Sequence, residues 1–326
     1  MTDNRAQINI LNKLITDNDT FLLTSHQDPD GDSIGSLIGL NNYLKRLGKK
    51  TMVYSQGIIP SKYVFLDSEG VIKSEAPKTS SDFPVAIILE CPRFERIGFV
   101  KDLIGPQTLI VNIDHHEDNE MYGRVNIVDK DACAVGQILF DIFNSAGGSF
   151  DADVAGPLYA ALISDTGCFK FSNTTSRCLN TAAVLVEKGA RPKSIAENIF
   201  SSFTAATLKM VGYVLQNMRL YADGKICVFK LAKNDPAKFG ASMENSEGLI
   251  DYSMMIKGVE VGVLLKEVDS KTVKVSLRSR DGIDIGSFAG KRGGGGHLNA
   301  SGFTLAENLD SAEPTVVKAL SEYLNV

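Results

Sequence analysis

Long apolar runs, paired cysteines and a positive charge excess are all missing from this 326-residue chain. No apolar stretch reaches the roughly 18 residues that a membrane helix needs, and the opening MTDNRAQINILNKLITDND lacks the apolar centre of a signal peptide. Five cysteines (Cys91, Cys133, Cys168, Cys178 and Cys227) form an odd, widely spaced set without a C-x-x-C pair. That spacing argues against a disulfide framework or a zinc knuckle and fits a reducing cytoplasm. Lys plus Arg is 34 against 39 Asp plus Glu, a net charge of -5, which argues against a protein that coats long nucleic acid. A short or small anionic ligand in a local pocket stays compatible with it. Histidine is scarce too: the four are His26 in SHQDPDGDS, His115 and His116 in NIDHHED, and His297 in GGGGHLNASG. With 44% hydrophobic and 22% charged residues, what remains is an ordinary globular chain, long enough for about two domains.

Short runs rich in β-branched residues at Phe21 to Ser25, Thr51 to Ser55, Val85 to Leu89 and Thr108 to Ile113 read as strands. Between the first two, Ser33 to Leu47 has apolar residues at helical spacing, with Gly48 as its stop. Strands alternating with helices predict a parallel α/β sheet with helices on both faces. Helices follow at Ala134 to Ser145, Val154 to Ser164 and Thr175 to Lys188. The expected organisation is a metal-binding catalytic domain over 1–190, a helical connector over 191–216 and a smaller α/β domain over 217–326. In that last domain the strands read as antiparallel and a helix spans Ala312 to Leu324, with the active site expected in a cleft between the two domains.

The densest chemistry is His26-x-x-x-Asp30-x-Asp32, placed where the first strand passes into the first helix, the edge at which open α/β sheets bind ligands. One imidazole and two carboxylates suit a hard divalent ion such as Mn²⁺ better than a thiolate-bound one; the plainer reading is a turn in which Asp30 or Asp32 caps the helix. Two further strands end alike, one in Glu90 and one in Asp114-His115-His116, and the apolar run LYAALI ends in Ser164-Asp165. Six candidate ligands, His26, Asp30, Asp32, Glu90, His115 and Asp165, are too many for one zinc and suit two hard ions sharing a carboxylate and a water. Such a pair hydrolyses phosphoesters or phosphoanhydrides. Asp114 then reads as the acceptor that fixes an imidazole tautomer, or as a turn acid, and His116 as a phosphate contact or proton donor.

The C-terminal part supplies Gly293 to Gly296 and His297, a run that lets backbone N–H groups converge on an anion. Arg278 and Arg280 are two apart on an expected strand, and six Lys or Arg between 271 and 300 stand against Asp281 and Asp284. Together with Gly294, Gly295, Gly296 and His297 these arginines are the expected substrate contacts; a flexible surface loop is the alternative. Gly286 to Lys291 is one residue short of a P-loop.

These residues together resemble the DHH phosphoesterase family. HQDPDGDSIGS, LECPRFERIG, NIDHHEDN and ALISDTGCFKFSNTTSR look like its four N-terminal motifs in order, and SLRSRDGIDIGSFAGKRGGGGHLNASGF looks like its associated C-terminal domain. The GGGGH ending and the length are most similar to the nanoRNase and pAp phosphatase group. That resemblance implies a cytoplasmic, Mn²⁺-dependent enzyme that cuts short oligonucleotides to mononucleotides, takes no long nucleic acid and no membrane as partner, and leaves a homodimer open. It implies that His26 and Asp30 bind one ion and Asp32, His115 and Asp165 the other, with position 90 bridging, and that Arg278, Gly295, Gly296 and His297 hold substrate. One residue departs: Glu90 stands where the family has Asp, an added methylene that still permits bridging. Cyclic-dinucleotide hydrolysis, exopolyphosphatase activity and a non-catalytic nucleotide-binding module are the competing expectations.

Overall fold

The computed structural model describes residues 2–77, 83–246, 248–280 and 282–326, without the side chains of Thr2, Asp3 and His297. Asp281, counted among the local charges above, lies outside them. The chain divides into two compact units, Met1–Ser202 and Phe203–Val326, a boundary inside the segment read as a connector.

The first unit runs α1 (Thr2–Asp17), β1 (Thr20–Thr24), α2 (Gly31–Arg46), β2 (Lys50–Tyr54), β3 (Ile72–Lys73), β4 (Val85–Leu89), β5 (Leu109–Asp114), β6 (Val125–Val128), α3 (Val135–Ser145), α4 (Ala152–Asp165), α5 (Ser176–Glu187) and α6 (Pro192–Phe200). Its six strands are parallel, in the order β3-β2-β1-β4-β5-β6. β1 and β4 are neighbours although β2 and β3 intervene in sequence, so the order reverses there, and the crevice at their carboxyl ends is where such sheets hold ligands.

Each face of this sheet has its own core. On one, α1 to α6 pack over Phe21, Leu23, Ile87, Leu89, Val111 and Ile113. On the other, Leu22, Ala86 and Ile88 meet Ile97 and Val100 from a 3₁₀ segment, Phe94–Leu103. Helical cover on both faces agrees with the expectation, although among the described residues the helical cover of the second face is the 3₁₀ segment. The sequence reading left out α1, held by Leu11 and Ile15, and β6. Close packing of α2 on α4 requires glycine: a Cβ on Gly35 would lie 2.5 Å from the Pro157 carbonyl, and one on Gly39 2.7 Å from Leu158 Cδ2. The start of α2, with Asp32, is thereby held beside α3 and α4.

The second unit comprises α7 (Ala205–Gln216), β7 (Arg219–Tyr221), β8 (Ile226–Leu231), β9 (Val261–Asp269), β10 (Thr272–Ser279), α8 (Ile285–Gly290), β11 (Gly295–His297), β12 (Ala300–Leu305) and α9 (Leu309–Leu324). Its sheet has the order β11-β12-β10-β9-β8-β7. The expected antiparallel pairing needs one correction: β8 and β9 are parallel, because the chain between them crosses over through 3₁₀ turns at 236–239, 243–246 and 249–255 instead of a hairpin. α8 and α9 cover one face and α7 with the 3₁₀ turns the other. No helix among the described residues is long and apolar enough to cross a membrane.

Candidate metal centre

The carboxyl ends of β1, β4 and β5 deliver His26, Glu90 and Asp114-His115-His116 to one place. Glu90 is the pivot. It sits at φ 53°, a left-handed conformation that a non-glycine residue adopts only when its surroundings hold it there, and its carboxyl is buried. Oε2 lies 3.0 Å from His26 Nε2, and Oε1 lies 3.4 Å from His115 Nε2 and 3.5 Å from His116 Nδ1. One carboxylate therefore faces two separate donor sets, His26 with Asp30 and His115 with His116.

The imidazoles are oriented by acceptors. His26 Nδ1 is 2.7 Å from the Gln27 carbonyl and His115 Nδ1 is 3.1 Å from the Ala132 carbonyl. A carbonyl only accepts, so in the neutral rings both Nδ1 atoms carry the proton and both Nε2 atoms offer lone pairs. His116 is set differently, its Nδ1 donating at 2.8 Å to Asp114 Oδ1. Asp114, fully buried, also accepts from the His115 backbone N–H at 2.7 Å and from Asn119 Nδ2 at 2.6 Å. The imidazole that Asp114 fixes is thus that of His116.

Asp32, 1% exposed, accepts from the Val135 N–H at 2.6 Å, the Gly136 N–H at 3.1 Å and Ser36 Oγ at 2.8 Å, which places it at the positive end of α3. Asp165 closes α4. Asp30 is exposed and caps α2 by accepting from the Ser33 N–H at 3.0 Å, as the plainer reading held, while remaining within reach of the His26 and Glu90 set.

The donor set fits a cation. His115 Nε2 is buried without a hydrogen-bond partner, 3.4 Å from Glu90 Oε1, 3.7 Å from Asp165 Oδ2 and 4.0 Å from Asp32 Oδ2. A lone pair directed at three carboxylate oxygens is repulsive unless something positive, a proton or a metal ion, stands among them.

In the metal-free protein protons take that part. Burial by itself would lower the pKa of His26, but its hydrogen bond to Glu90 and the Glu90 charge outweigh burial and raise it to about 9. His115 and His116 are likewise raised against burial by the surrounding carboxylates. Burial and the charge of Glu90 raise Asp32 to about 6, whereas the three imidazoles hold Glu90 well below the usual range despite its burial. The folded-state value of His26 lies above its ordinary 6.5, so its contribution is complete below pH 6.5 and lost as pH rises through about 9. That of Asp32 is lost from 3.8 through about 6. The metal-free protein is therefore expected to lose stability between pH 6.5 and 9, on the order of 3 kcal/mol from His26 alone. Metal binding must expel the same protons, so the gap in Tm between metal-loaded and metal-free protein widens over that window. A gap independent of pH would contradict this assignment.

In the second unit Arg278 and Arg280 both reach the 249–259 segment, with different commitments. Arg280, one residue past the end of β10, donates to the carbonyls of Val259 (2.7 Å), Met254 (3.2 Å) and Ile256 (3.3 Å). Arg278 pairs with the half-buried Asp251 at 3.0 Å. Arg280→Ala is accordingly expected to destabilise the protein by about 1 kcal/mol, chiefly through the buried Val259 carbonyl, and Arg278→Ala to leave stability within about 0.5 kcal/mol while raising KM. Denaturant melts beside kinetics check this; reversed effects would refute it. Of the glycines, Gly294 and Gly296 are required by packing, since a Cβ would lie 2.1 Å from the Gly302 carbonyl and 2.4 Å from the Ala300 carbonyl respectively. Gly295 has open space above it. His297 ends β11, and its side chain lies outside the described residues.

Two sequence profiles match. That of the DHH family N-terminal domain covers residues 20–162, and that of the DHHA1 domain covers 223–326. The bifunctional oligoribonuclease and PAP phosphatase NrnA of Thermus thermophilus is 30% identical over 93% of this chain and 89% of its own. This chain belongs to the DHH phosphoesterase family. As a member it is a hydrolase of the metal-dependent type. The NrnA protein of Bacillus subtilis is 27% identical over 88% of this DHH chain and 90% of its own. An exopolyphosphatase-related protein from Bacteroides fragilis shares the fold with a TM-score of 0.90 at 26% identity, over 98% of this chain and 96% of its own.

Sequence reasoning left out the supports of this centre. Ser33 Oγ lies 2.9 Å from His26 Nε2 and 3.4 Å from Glu90 Oε2, and Asn119 holds Asp114. Both lie inside quoted motifs. The amides of α3 that hold Asp32 carry no side-chain signal.

Proposed function

We propose that this DHH-family chain is a two-metal, Mn²⁺-dependent phosphodiesterase that hydrolyses short oligoribonucleotides or linear dinucleotides to mononucleotides and removes the 3′-phosphate of pAp. The observation that carries the reading is Glu90 facing two places at once, Oε2 toward His26 with Asp30 and Oε1 toward His115 Nε2, around which Asp165 and Asp32 also stand. His26, Asp30 and Glu90 would hold one ion, and Glu90, His115, Asp32 and Asp165 the other. Bound there, a pair of divalent ions ionises a water near neutral pH and offsets charge on the phosphoryl oxygens.

The remaining steps belong to side chains. Asp114 accepts the Nδ1 proton of His116 at 2.8 Å and, with Glu90, favours the protonated ring. His116 so held can give a proton to the leaving oxygen. Gln27 and Ala132 carbonyls keep the ligand rings from turning. In the second unit Arg278, Gly295, Gly296 and His297 are assigned to the substrate, with Arg280 supporting Arg278 by fixing the 254–259 segment. The names of the Thermus and Bacillus relatives, oligoribonuclease and PAP phosphatase, support this choice of substrate; the Bacteroides structure, described as exopolyphosphatase-related, keeps polyphosphate in the comparison.

The test is a panel of di- to pentaribonucleotides, pAp, a cyclic dinucleotide and polyphosphate, ranked by kcat/KM with Mn²⁺. The oligonucleotides and pAp are expected to lead by at least about tenfold, roughly 1.4 kcal/mol of transition-state preference. Leading turnover of polyphosphate or of the cyclic dinucleotide would replace the proposal, and turnover of none would leave a binding module.

A further inference from the structure

Around the Asp114-His115-His116 motif, Asn112, Asn119 and Asn126 form one network. Asn112 is fully buried on β5, two residues before Asp114 and so on the same side of the strand. Asn126 is its register partner on β6, and Asn119 lies in the loop between the two strands. Asn112 Nδ2 donates to Asn119 Oδ1 at 2.8 Å and to Asn126 Oδ1 at 3.2 Å. Backbone donors settle which atom of each amide is the oxygen. The Met121 N–H donates at 2.8 Å to Asn119 Oδ1 and the Gly123 N–H at 3.0 Å to Asn126 Oδ1, so those atoms accept and both Nδ2 atoms are donors. Asn119 Nδ2 therefore donates at 2.6 Å to Asp114 Oδ2, the oxygen that His116 Nδ1 does not use. Its contacts to Asn112 Oδ1 at 3.4 Å and to the Cys91 carbonyl at 3.5 Å are longer and weaker.

Two demands meet at position 119. The turn needs a side-chain oxygen that accepts from the N–H two residues on, which Asp or Asn supplies equally. Asp114 needs a donor, and of those two residues only Asn has one. An aspartate there would keep the turn and set a second carboxylate oxygen against Asp114 Oδ2. With asparagine in place both oxygens of Asp114 are held, Oδ2 by Asn119 and Oδ1 by the His115 N–H and His116 Nδ1. The plane of the carboxylate is thereby fixed, and with it the ring of His116.

We propose that Asn119 is a positioning residue for protonation of the leaving group, acting through Asp114 on His116. The inference rests on the function proposed above and adds a residue to it. As the P–O bond breaks, its electron pair passes to the leaving ribose oxygen, which takes the His116 proton. A water oxygen forms the new P–O bond, and the proton this water releases to solvent is matched by one that solvent returns to His116. A leaving group that is stable as an anion needs no proton, so its departure does not depend on how the ring is held.

The experiment compares kcat with Mn²⁺ on a diribonucleotide and on the p-nitrophenyl ester of uridine 5′-phosphate, whose nitrophenolate leaves without protonation. Asn119→Asp and Asn119→Ala should raise the ratio of ester to dinucleotide turnover about a hundredfold, the low end of what general acid catalysis supplies. Asn126→Ala, which removes contacts to Asn112 and Gly123 and none to Asp114, should leave the ratio unchanged. Proton NMR of the metal-free full chain gives a readout without substrate. The His116 Nδ1 proton is expected to be sharp in wild type and Asn126→Ala, and broadened by exchange with water in both Asn119 variants. A ratio and a resonance that stay as in wild type in both Asn119 variants, or that change as much in Asn126→Ala, overturn the assignment. A wild type that turns over no phosphodiester, with the resonance behaving as expected, overturns the functional proposal and leaves the positioning by Asn119 standing.

Discussion

Glu90→Gln is expected to lower kcat/KM by about a thousandfold, because it removes the one negative charge that faces both donor sets. The lost charge stabilisation of an ion pair at the reacting phosphate is several kcal/mol, and about 4 kcal/mol is three decades of rate. The variant keeps the size and one carbonyl oxygen and exchanges the other acceptor oxygen for an NH2 donor, so it removes the charge and one acceptor with little change of shape. Glu90→Asp keeps the charge, shortens the reach by one methylene, and should retain most of the activity. In the metal-free protein, Glu90→Gln should also bring the pKa of His26 down from about 9, since the carboxylate hydrogen bond and charge are what raise it. An NMR titration of His26 reads this without any metal. Activity of Glu90→Gln within tenfold of wild type, or an unmoved His26, would remove Glu90 from the pivot of the site.

Asp32→Ala is expected to abolish turnover and to destabilise the fold. The carboxylate accepts from Val135 N–H, Gly136 N–H and Ser36 Oγ, all buried, so the truncation strands three donors at about 1–3 kcal/mol each. A net loss of about 4 kcal/mol is the expected result of chemical denaturation, with activity below detection at temperatures where the variant is folded. His297→Ala, by contrast, should chiefly raise KM. Mild and equal effects of the two substitutions would break the division between a metal centre in the first unit and substrate contacts in the second.

The parallel sheet and the site within it were legible for one reason: β-branched runs such as VAIIL and LIVNI end in charged residues, and a buried strand that ends in Glu90 or Asp114 announces a site. Four His in three clusters gave the same message. What escaped was whatever lacks a side-chain signature. The α3 amides on Asp32 are backbone groups delivered by a helix more than a hundred residues away. β6 is four residues long and α8 six, too short for either periodicity to register. Arg280 was grouped with Arg278 by spacing alone, and only the 254–259 carbonyls reveal its structural commitment. The parallel step from β8 to β9 depends on a crossover of 3₁₀ turns that no short-range pattern encodes.

The central claim is a paired metal site bridged by Glu90, and the most direct measurement is the metal content of the chain after equilibration with Mn²⁺ and removal of free ion. The account predicts two ions per chain in wild type and one or none in Glu90→Gln; a wild-type chain that retains a single ion, or none, would contradict it.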